Sequence, residues 1–379
     1  MTKFYDVAVV GAGPSGAFAA YILAKNGIST VIIDKEELPR YKVCGGGLVF
    51  RGRKLLPFEL EPVLEREFKK VEIFVNGIKD RFSSERSEAI ISMIMRDDFD
   101  NFIVKEAGKC GAEIMQKATI KSVEGEKITF SNSEIEVNAK IIVLADGALS
   151  PVSKMAGFSD SRILLPLLEF EVEVSPEDFE RLSTMVRFDI GAAPYGYGWS
   201  FPKKNHLSIG VGTFKTKAKL KLKDYVEEYI KLLGIKKVIS QSEHGFVVPL
   251  NPRSEIVKNN CFLIGDAAGF ADPLVAEGIS NAILSGKIVA ESIIEGKLSI
   301  EKSKEIYLKN VQEDLIPELE IGSRLAKFFY YNPKIRNIFL KKYGQNATEK
   351  LTEIFMGNAS YPTNYIDTLK SRFKSAFSI

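Results

Sequence analysis

Gly11-Ala12-Gly13-Pro14-Ser15-Gly16 stands between a run of β-formers at residues 4–10 and a helical stretch at 17–25. Glycine at these three positions suits pyrophosphate binding. The first makes a tight turn, the second lets backbone approach the phosphates, and the third lets the helix pack on the strand. The helix start adds free N–H groups and a partial positive charge for the anion. Asp34 closes the next apolar run, 30–34, where a carboxylate accepts hydrogen bonds from an adenosine ribose. The glycine pattern alone serves either a dinucleotide or plain helix–strand packing. A strand before it, a helix after it and an acid at the right distance make it a dinucleotide site.

Four further groups of residues could do chemistry. Ala145-Asp146-Gly147-Ala148-Leu149-Ser150 and Gly265-Asp266-Ala267-Ala268-Gly269 each follow an apolar strand. Both read as strand-end turns or as further cofactor contacts. Arg96 opens Arg96-Asp97-Asp98-Phe99-Asp100 at a strand-to-helix junction. Its guanidinium either neutralises a pyrophosphate or is a surface charge at a helix start. Cys44, beside Gly45, Gly46 and Gly47, is either a small buried hydrophobe or a thiol placed to donate or shape a proton path. Tyr195, Tyr197, Trp199 and Phe201 line a tunnel or fill a sheet core. His206 and His244, the two histidines, lack metal-ligand spacing and read as structural or surface residues. Cys44, Cys110 and Cys261 are too far apart for a zinc pairing and fit a reduced, cytoplasmic setting.

These residues need a frame. The strand, glycine turn, helix, strand opening is a parallel βαβ unit. From residue 71 the pattern changes to hairpins, with 71–75 and 78–82 flanking Asn76-Gly77. A helix is expected over 97–109, strands over 112–123 and 140–144, a Lys-rich helix near 219–233, a strand at 261–264 and a helix at about 275–295. From residue 300 onward helices are punctuated by Pro317, Pro333 and Pro362. The fold class is α/β (α+β overall), with two or three units for 379 residues. Net charge is +3, from 52 basic and 49 acidic residues, which gives no argument for nucleic acid as a partner. No signal peptide or membrane span is expected from the apolar runs. Residues 301–379 carry 13 Lys and Arg against 9 Asp and Glu, with Phe328-Phe329-Tyr330-Tyr331 among them. That mixture suits a packed helical cap, a basic surface resting on a membrane, or both.

The Gly11, Asp146 and Asp266 segments, taken in order, resemble the three signatures of the p-hydroxybenzoate hydroxylase superfamily of flavoproteins. Within it, Pro39-Arg40-Tyr41-Lys42-Val43-Cys44-Gly45-Gly46-Gly47 resembles the P-x-x-K-x-C-G-G-G segment of geranylgeranyl reductases. Tyr197-Gly198-Trp199-Ser200-Phe201-Pro202, followed by Gly210, resembles that family's Y-x-W-x-F-P element. The resemblance covers most of residues 1–300. It implies a Rossmann-type three-layer domain of glutathione-reductase type from 1–70, 90–160 and 255–300, which binds FAD. It also implies a β-rich substrate domain from 71–89 and 161–254, with 301–379 as a helical region.

Carried over by position, Gly11, Gly13, Ser15, Gly16, Asp34, Lys35, Cys44, Gly45, Gly46, Gly47, Arg96, Ala118, Asp266, Gly278 and Ile279 are implied to touch FAD. With a prenyl lipid as substrate, the alternatives for Tyr195, Tyr197, Trp199 and Phe201 become lining its path or filling the sheet core, and those for Cys44 a catalytic thiol or a buried hydrophobe. The implied reaction saturates isolated double bonds of geranylgeranyl chains, including those of archaeal ether lipids. A monooxygenase or halogenase on the same fold is the alternative, though halogenases carry W-x-W-x-I-P at the Trp199 element. A prenyl-lipid-binding flavoprotein without turnover is another. With no second glycine-rich turn, the electron donor stays open between a ferredoxin-like carrier and NAD(P)H.

Overall fold

The computed structural model describes residues 1–76, 81–215 and 220–361. The centre of the first sheet is parallel, in the order Cys261–Leu263, Glu136–Leu144, Thr2–Val10, Thr30–Ile33, Glu113–Met115. Strands covered on both faces need apolar residues at every position. Val7–Val10, Thr30–Ile33 and Ile141–Leu144 are accordingly buried throughout. The helix Pro14–Lys25 packs against both Arg96–Lys109 and Ile279–Glu295. A hairpin, Ile120–Glu124 with Lys127–Phe130, pairs with the first half of Glu136–Leu144. The opening is the parallel βαβ unit expected from the glycine turn, and the whole is the Rossmann-type arrangement that the resemblance implies.

A second sheet of seven strands runs in the order Val238–Leu250, Ile163–Val174, Leu207–Thr213, Gly196–Pro202, Val186–Ile190, Lys70–Val75, Phe82–Glu85. Its neighbours are antiparallel except Val186–Ile190 with Lys70–Val75. Side chains alternate between faces along each strand. Phe170, Val172, Ile209 and Val211 meet Val226 and Tyr229 of the helix Leu222–Leu232. Trp199 and Phe201, together with Glu169 and Glu171, belong to the other face. Gly47–Val49, Ile91–Ile94 and Leu64–Phe68 form a small third sheet.

Three boundaries differ from the sequence reading. The strand expected over 112–123 is two strands, with Lys117 between them in the left-handed region at φ 54°. The break serves the first sheet, because Ala118 N–H donates to the Asp34 carbonyl and Lys117 N–H to that of Glu36. The helix expected from 275 starts at Ile279, because the Asp272 carboxylate takes the N–H groups of Leu274 and Val275 into a turn instead. The Lys-rich helix is Leu222–Leu232, and residues 216–219 lie outside the described residues. So do the middle of the 76–78 turn and Pro362.

Three helices, Ile300–Asp314, Ile316–Tyr331 and Pro333–Met356, close the described chain. Pro317 and Pro333 sit in first turns, where a missing N–H costs nothing. Tyr307 is fully buried and donates to the Leu263 carbonyl, which ties these helices to the first sheet. Among the described residues no helix is long and apolar enough to cross a membrane.

Candidate active site

The glycine turn is built as its spacing predicts. Gly11 has φ 106°, and a Cβ there would lie 2.3 Å from the Ala145 carbonyl oxygen. A Cβ on Gly16 would lie 2.1 Å from the Gly11 oxygen, so the helix can close on the strand only at glycine. Gly13 is uncrowded, its nearest neighbour being Arg96 Nη2 at 3.8 Å from a Cβ position. That opening is where phosphate can approach backbone. The Asp34 carboxylate accepts from Ala12 N–H at 2.8 Å and from Glu36 N–H at 2.9 Å. It is therefore pinned to the turn, with lone pairs left for a ribose. Ala118 is buried against the Asp34 backbone, and Lys35 is an exposed rim residue paired with Glu36.

Ser15 connects motifs that lie far apart in sequence. A Cβ on Gly265 would meet its Oγ at 2.7 Å, and one on Gly286 its carbonyl oxygen at 2.3 Å. Only glycine at 265 and 286 lets the third motif and its helix dock on the first. Gly278 caps that helix beside the Asp266 carboxyl, with 3.4 Å between a Gly278 Cβ position and Asp266 Oδ1. Ile279 is the buried first residue of the helix. Burial raises the Asp266 pKa, opposed by Lys42, Arg96 and Arg162.

Asp146 plays a more local part than its motif suggests. It accepts from Ser150 Oγ at 2.7 Å and Val152 N–H at 2.8 Å, which caps the short helix Pro151–Met155.

Arg96 stands at the helix start but is no free surface charge. Its Nε and Nη2 both donate to Asp100 at 2.8 Å, and Arg40 Nη1 donates to the same carboxylate at 2.9 Å. Asp100 has no exposed surface. Burial works against the Arg96 charge, yet Asp100 beside it holds the guanidinium protonated. Lys42, which the sequence reading passed over, completes the cationic side. Its Nζ lies 3.0 Å from the centre of the Phe246 ring. Burial, then Arg96, pushes its pKa down to about 8, while Asp266 and Cys44 pull it back up.

The Cys44–Gly47 loop lies against the aromatic strand. A Cβ on Gly45 would lie 3.0 Å from both Trp199 Nε1 and Phe201 Cδ2, and one on Gly47 3.3 Å from Phe201 Cε2. Gly46 has φ 66°, and its Cβ would meet the Ile94 oxygen at 2.0 Å. Cys44 Sγ accepts from Gly46 N–H at 3.4 Å, which folds the loop on itself. Tyr197 donates to the Val275 carbonyl at 2.5 Å, and Trp199 donates to Ser208 Oγ at 3.3 Å. Tyr330, from the C-terminal helices, joins the same aromatic cluster. Tyr195 does not: at φ 56° it turns off the end of the strand, with its ring against Tyr331 and under Lys215. His206 takes the structural of the two expected roles: half-buried, with Nε2 3.0 Å from Glu171 Oε2.

The structure thus brings the glycine turn, Asp34, Arg96, Lys42, the Cys44 loop, Asp266 and Gly278 to one region, faced by Trp199 and Phe201. Open backbone at Gly13, cations around it and a pinned acid at Asp34 fit the diphosphate and ribose of a flavin dinucleotide.

The chain matches the FAD binding domain family over residues 4–294. It is 30% identical over 365 residues to digeranylgeranylglycerophospholipid reductase of Methanosarcina acetivorans, covering 88% of this chain and 86% of that protein. Among solved structures it is similar to a geranylgeranyl bacteriochlorophyll reductase-like protein from Thermoplasma acidophilum. That likeness has TM-score 0.74 at 24% identity, over 100% of this chain and 97% of the other. A flavin-dependent brominase shares the fold, with TM-score 0.76 at 19% identity over 99% of both chains. The protein is an oxidoreductase that binds FAD, and the chain belongs to the geranylgeranyl reductase family of FAD-dependent enzymes.

Proposed function

We propose that this enzyme saturates isolated double bonds of geranylgeranyl chains, carried by archaeal ether lipids or their precursors. The observation that carries this reading is the seating of Trp199 and Phe201 directly on the Cys44–Gly47 loop. An aromatic wall beside the cofactor cradle suits a prenyl chain. FAD, bound and reduced, supplies a hydride equivalent to one alkene carbon. The protein must do the rest: hold the chain, exclude water and deliver a proton to the other carbon. Arg96, Lys42, Asp34, Asp266 and the start of Ile279–Glu295 would hold the cofactor. Cys44 would shape the path of the proton.

Anaerobic mixing of photoreduced protein with a geranylgeranyl lipid is expected to reoxidise the flavin and yield saturated product. Failure of both would sink the reading. Tight lipid binding without reoxidation would point to a carrier, and a stable hydroperoxy-flavin with oxygen to a monooxygenase. A Cys44→Ser variant is expected to keep its FAD and lose about a hundredfold or more in turnover, the lower range for a proton-handling group. Normal turnover would remove Cys44 from the chemistry.

The cationic side of the cradle gives a pH dependence. Below about 8 Lys42 is charged beside the cofactor, and above it the charge is lost. Affinity of the apoprotein for FAD is expected to fall as pH rises through that value, and to stay level in Lys42→Met. Equal loss in both proteins would separate Lys42 from cofactor binding.

A lipid substrate also needs a membrane side. Ile335 and Ile338 are exposed on the first turns of Pro333–Met356, among Lys334, Lys341 and Lys342. Apolar residues to enter the interface and lysines worth about 1 kcal/mol each on anionic lipid suit peripheral contact. Ile335→Glu with Ile338→Glu is expected to abolish sedimentation with anionic vesicles at unchanged FAD content. Undiminished sedimentation would place the contact elsewhere.

A further inference from the structure

Behind the glycine loop, the seven-stranded sheet holds a buried set of titratable groups. Glu169 and Glu171 are two apart on Ile163–Val174 and so share a face. Glu169 and Lys203 have no exposed surface. Lys203 Nζ donates to the Gly45 carbonyl at 2.6 Å and the Ile94 carbonyl at 3.0 Å, which ties the set to the loop. His206 Nε2 lies 3.0 Å from Glu171 Oε2. The Tyr41 hydroxyl, on the same loop as Cys44, donates at 3.5 Å to Oε1 of both glutamates.

The remaining neighbours are accounted for strand by strand. Leu207–Thr213 places Ser208 opposite Glu171 and Gly210 opposite Glu169. Val238–Leu250 places His244 opposite Glu169 and Ser242 opposite Glu171, and the His244 ring lies 4.4 Å from that of Tyr41. Glu65 and Cys44 are the other charged or titratable groups within reach of Lys203.

With His206 neutral, and Lys203 held charged by the two glutamates against the burial that lowers its pKa, two carboxylates and one ammonium are one proton short of neutrality. The distribution of that proton follows from the contacts. Burial, then the neighbouring Glu171, pushes Glu169 up to about 8. Glu171 stays below the ordinary carboxylate range in spite of burial, because His206 and Lys203 favour its charge. Oε2 of Glu169 and Oε2 of Glu171 are both buried without a hydrogen-bond partner among the described residues, so the pair as a whole has room for a proton. A buried carboxylic acid kept neutral is a proton source rather than an anion site.

We propose that Glu169 and Glu171 form a one-proton carboxyl pair that supplies the proton consumed in alkene reduction, with Tyr41 as the relay between pair and loop. The assignment rests on the reductase reading. In the balanced step the π bond gives way to two C–H bonds. One is made with the hydride equivalent from the reduced cofactor, which is oxidised by two electrons, and the other with the proton from the pair. Glu169 is left as a carboxylate and is recharged from water through Tyr41, which is 42% exposed.

The test has two arms on the holoprotein. Infrared difference spectra between about pH 5 and 9 should show a protonated-carboxyl band that vanishes through about pH 8 in the parent and is missing in Glu169→Gln. Anaerobic single turnover with a geranylgeranyl lipid should slow above the same pH in the parent. In Glu169→Gln it should be about a hundredfold slower or worse and level with pH, at unchanged FAD content and melting temperature. Glutamine mimics the neutral acid in shape, so folding is spared. Tyr41→Phe should keep the band and slow the turnover. A parent without a titrating band, or a Glu169→Gln protein with the parent's rate and pH profile, overturns the assignment alone. A parent that keeps the band yet never reoxidises with lipid overturns the reductase reading, and the proton's use with it.

Discussion

A Gly11→Ala chain is expected to come out without FAD and to melt well below the parent. Two costs act together. At φ 106° an alanine is in a region L-residues avoid, a strain of about 1–3 kcal/mol. Its Cβ would also lie 2.3 Å from the Ala145 carbonyl oxygen, which is backbone and cannot swing aside. Ala145 N–H is bonded to the Val10 carbonyl at 2.7 Å, so relief means parting the two central strands of the first sheet. Overpacking of that sort adds about 1–3 kcal/mol. Gly27→Ala is the control, because Gly27 has φ 75° but nothing within 4 Å of a Cβ. It should lose some stability and keep its flavin. The flavin-to-protein absorbance ratio and a thermal melt decide the matter, and a Gly11→Ala protein with full flavin would refute the account of the turn.

The second large effect is expected at Asp100, a residue without exposed surface that serves as the shared anion for Arg96 and Arg40. In Asp100→Asn the negative charge goes, and an amide N–H₂ must face guanidinium donors. Two buried cations are then left opposite each other. Removing one partner from a buried ion pair costs about 3–5 kcal/mol. FAD binding should weaken as well, because Arg96 loses the fork contact that holds it beside Gly13. Arg96→Lys should weaken FAD while sparing more of the stability, since an ammonium still neutralises Asp100 but cannot bond it in two places. If Asp100→Asn melts with the parent, the cluster contributes nothing net to folding.

Legibility in the sequence followed the range of the interactions. The glycine turn, the acid at Asp34 and the βαβ opening were readable because each obeys a local rule about φ, capping or strand period. The prolines at 317 and 333 marked helix starts for the same reason. The 112–123 strand was misread because its break serves Asp34 and Glu36, about eighty residues earlier in the chain. Tyr195 was grouped with Tyr197 and Trp199 by period, yet its positive φ takes it off the strand. Lys203, Glu169 and Glu171 carried no signal at all. Charged residues on a half-exposed strand look the same whether water or another layer covers them.

What the sequence by itself determined was the glycine turn with its Asp34 and the order of elements around it, since those depend on local rules of turn, cap and strand period. What only the tertiary structure decided was which distant surfaces meet. Ser15 is locked between Gly265 and Gly286, Arg40 and Arg96 share Asp100, and the Cys44 loop closes on Trp199, Phe201 and Lys203. Alternation along a strand says that a side chain faces inward, but not what it faces. That is set by how two sheets and the helices between them pack, and it converts a charged strand into a buried acid pair behind the Cys44–Gly47 loop.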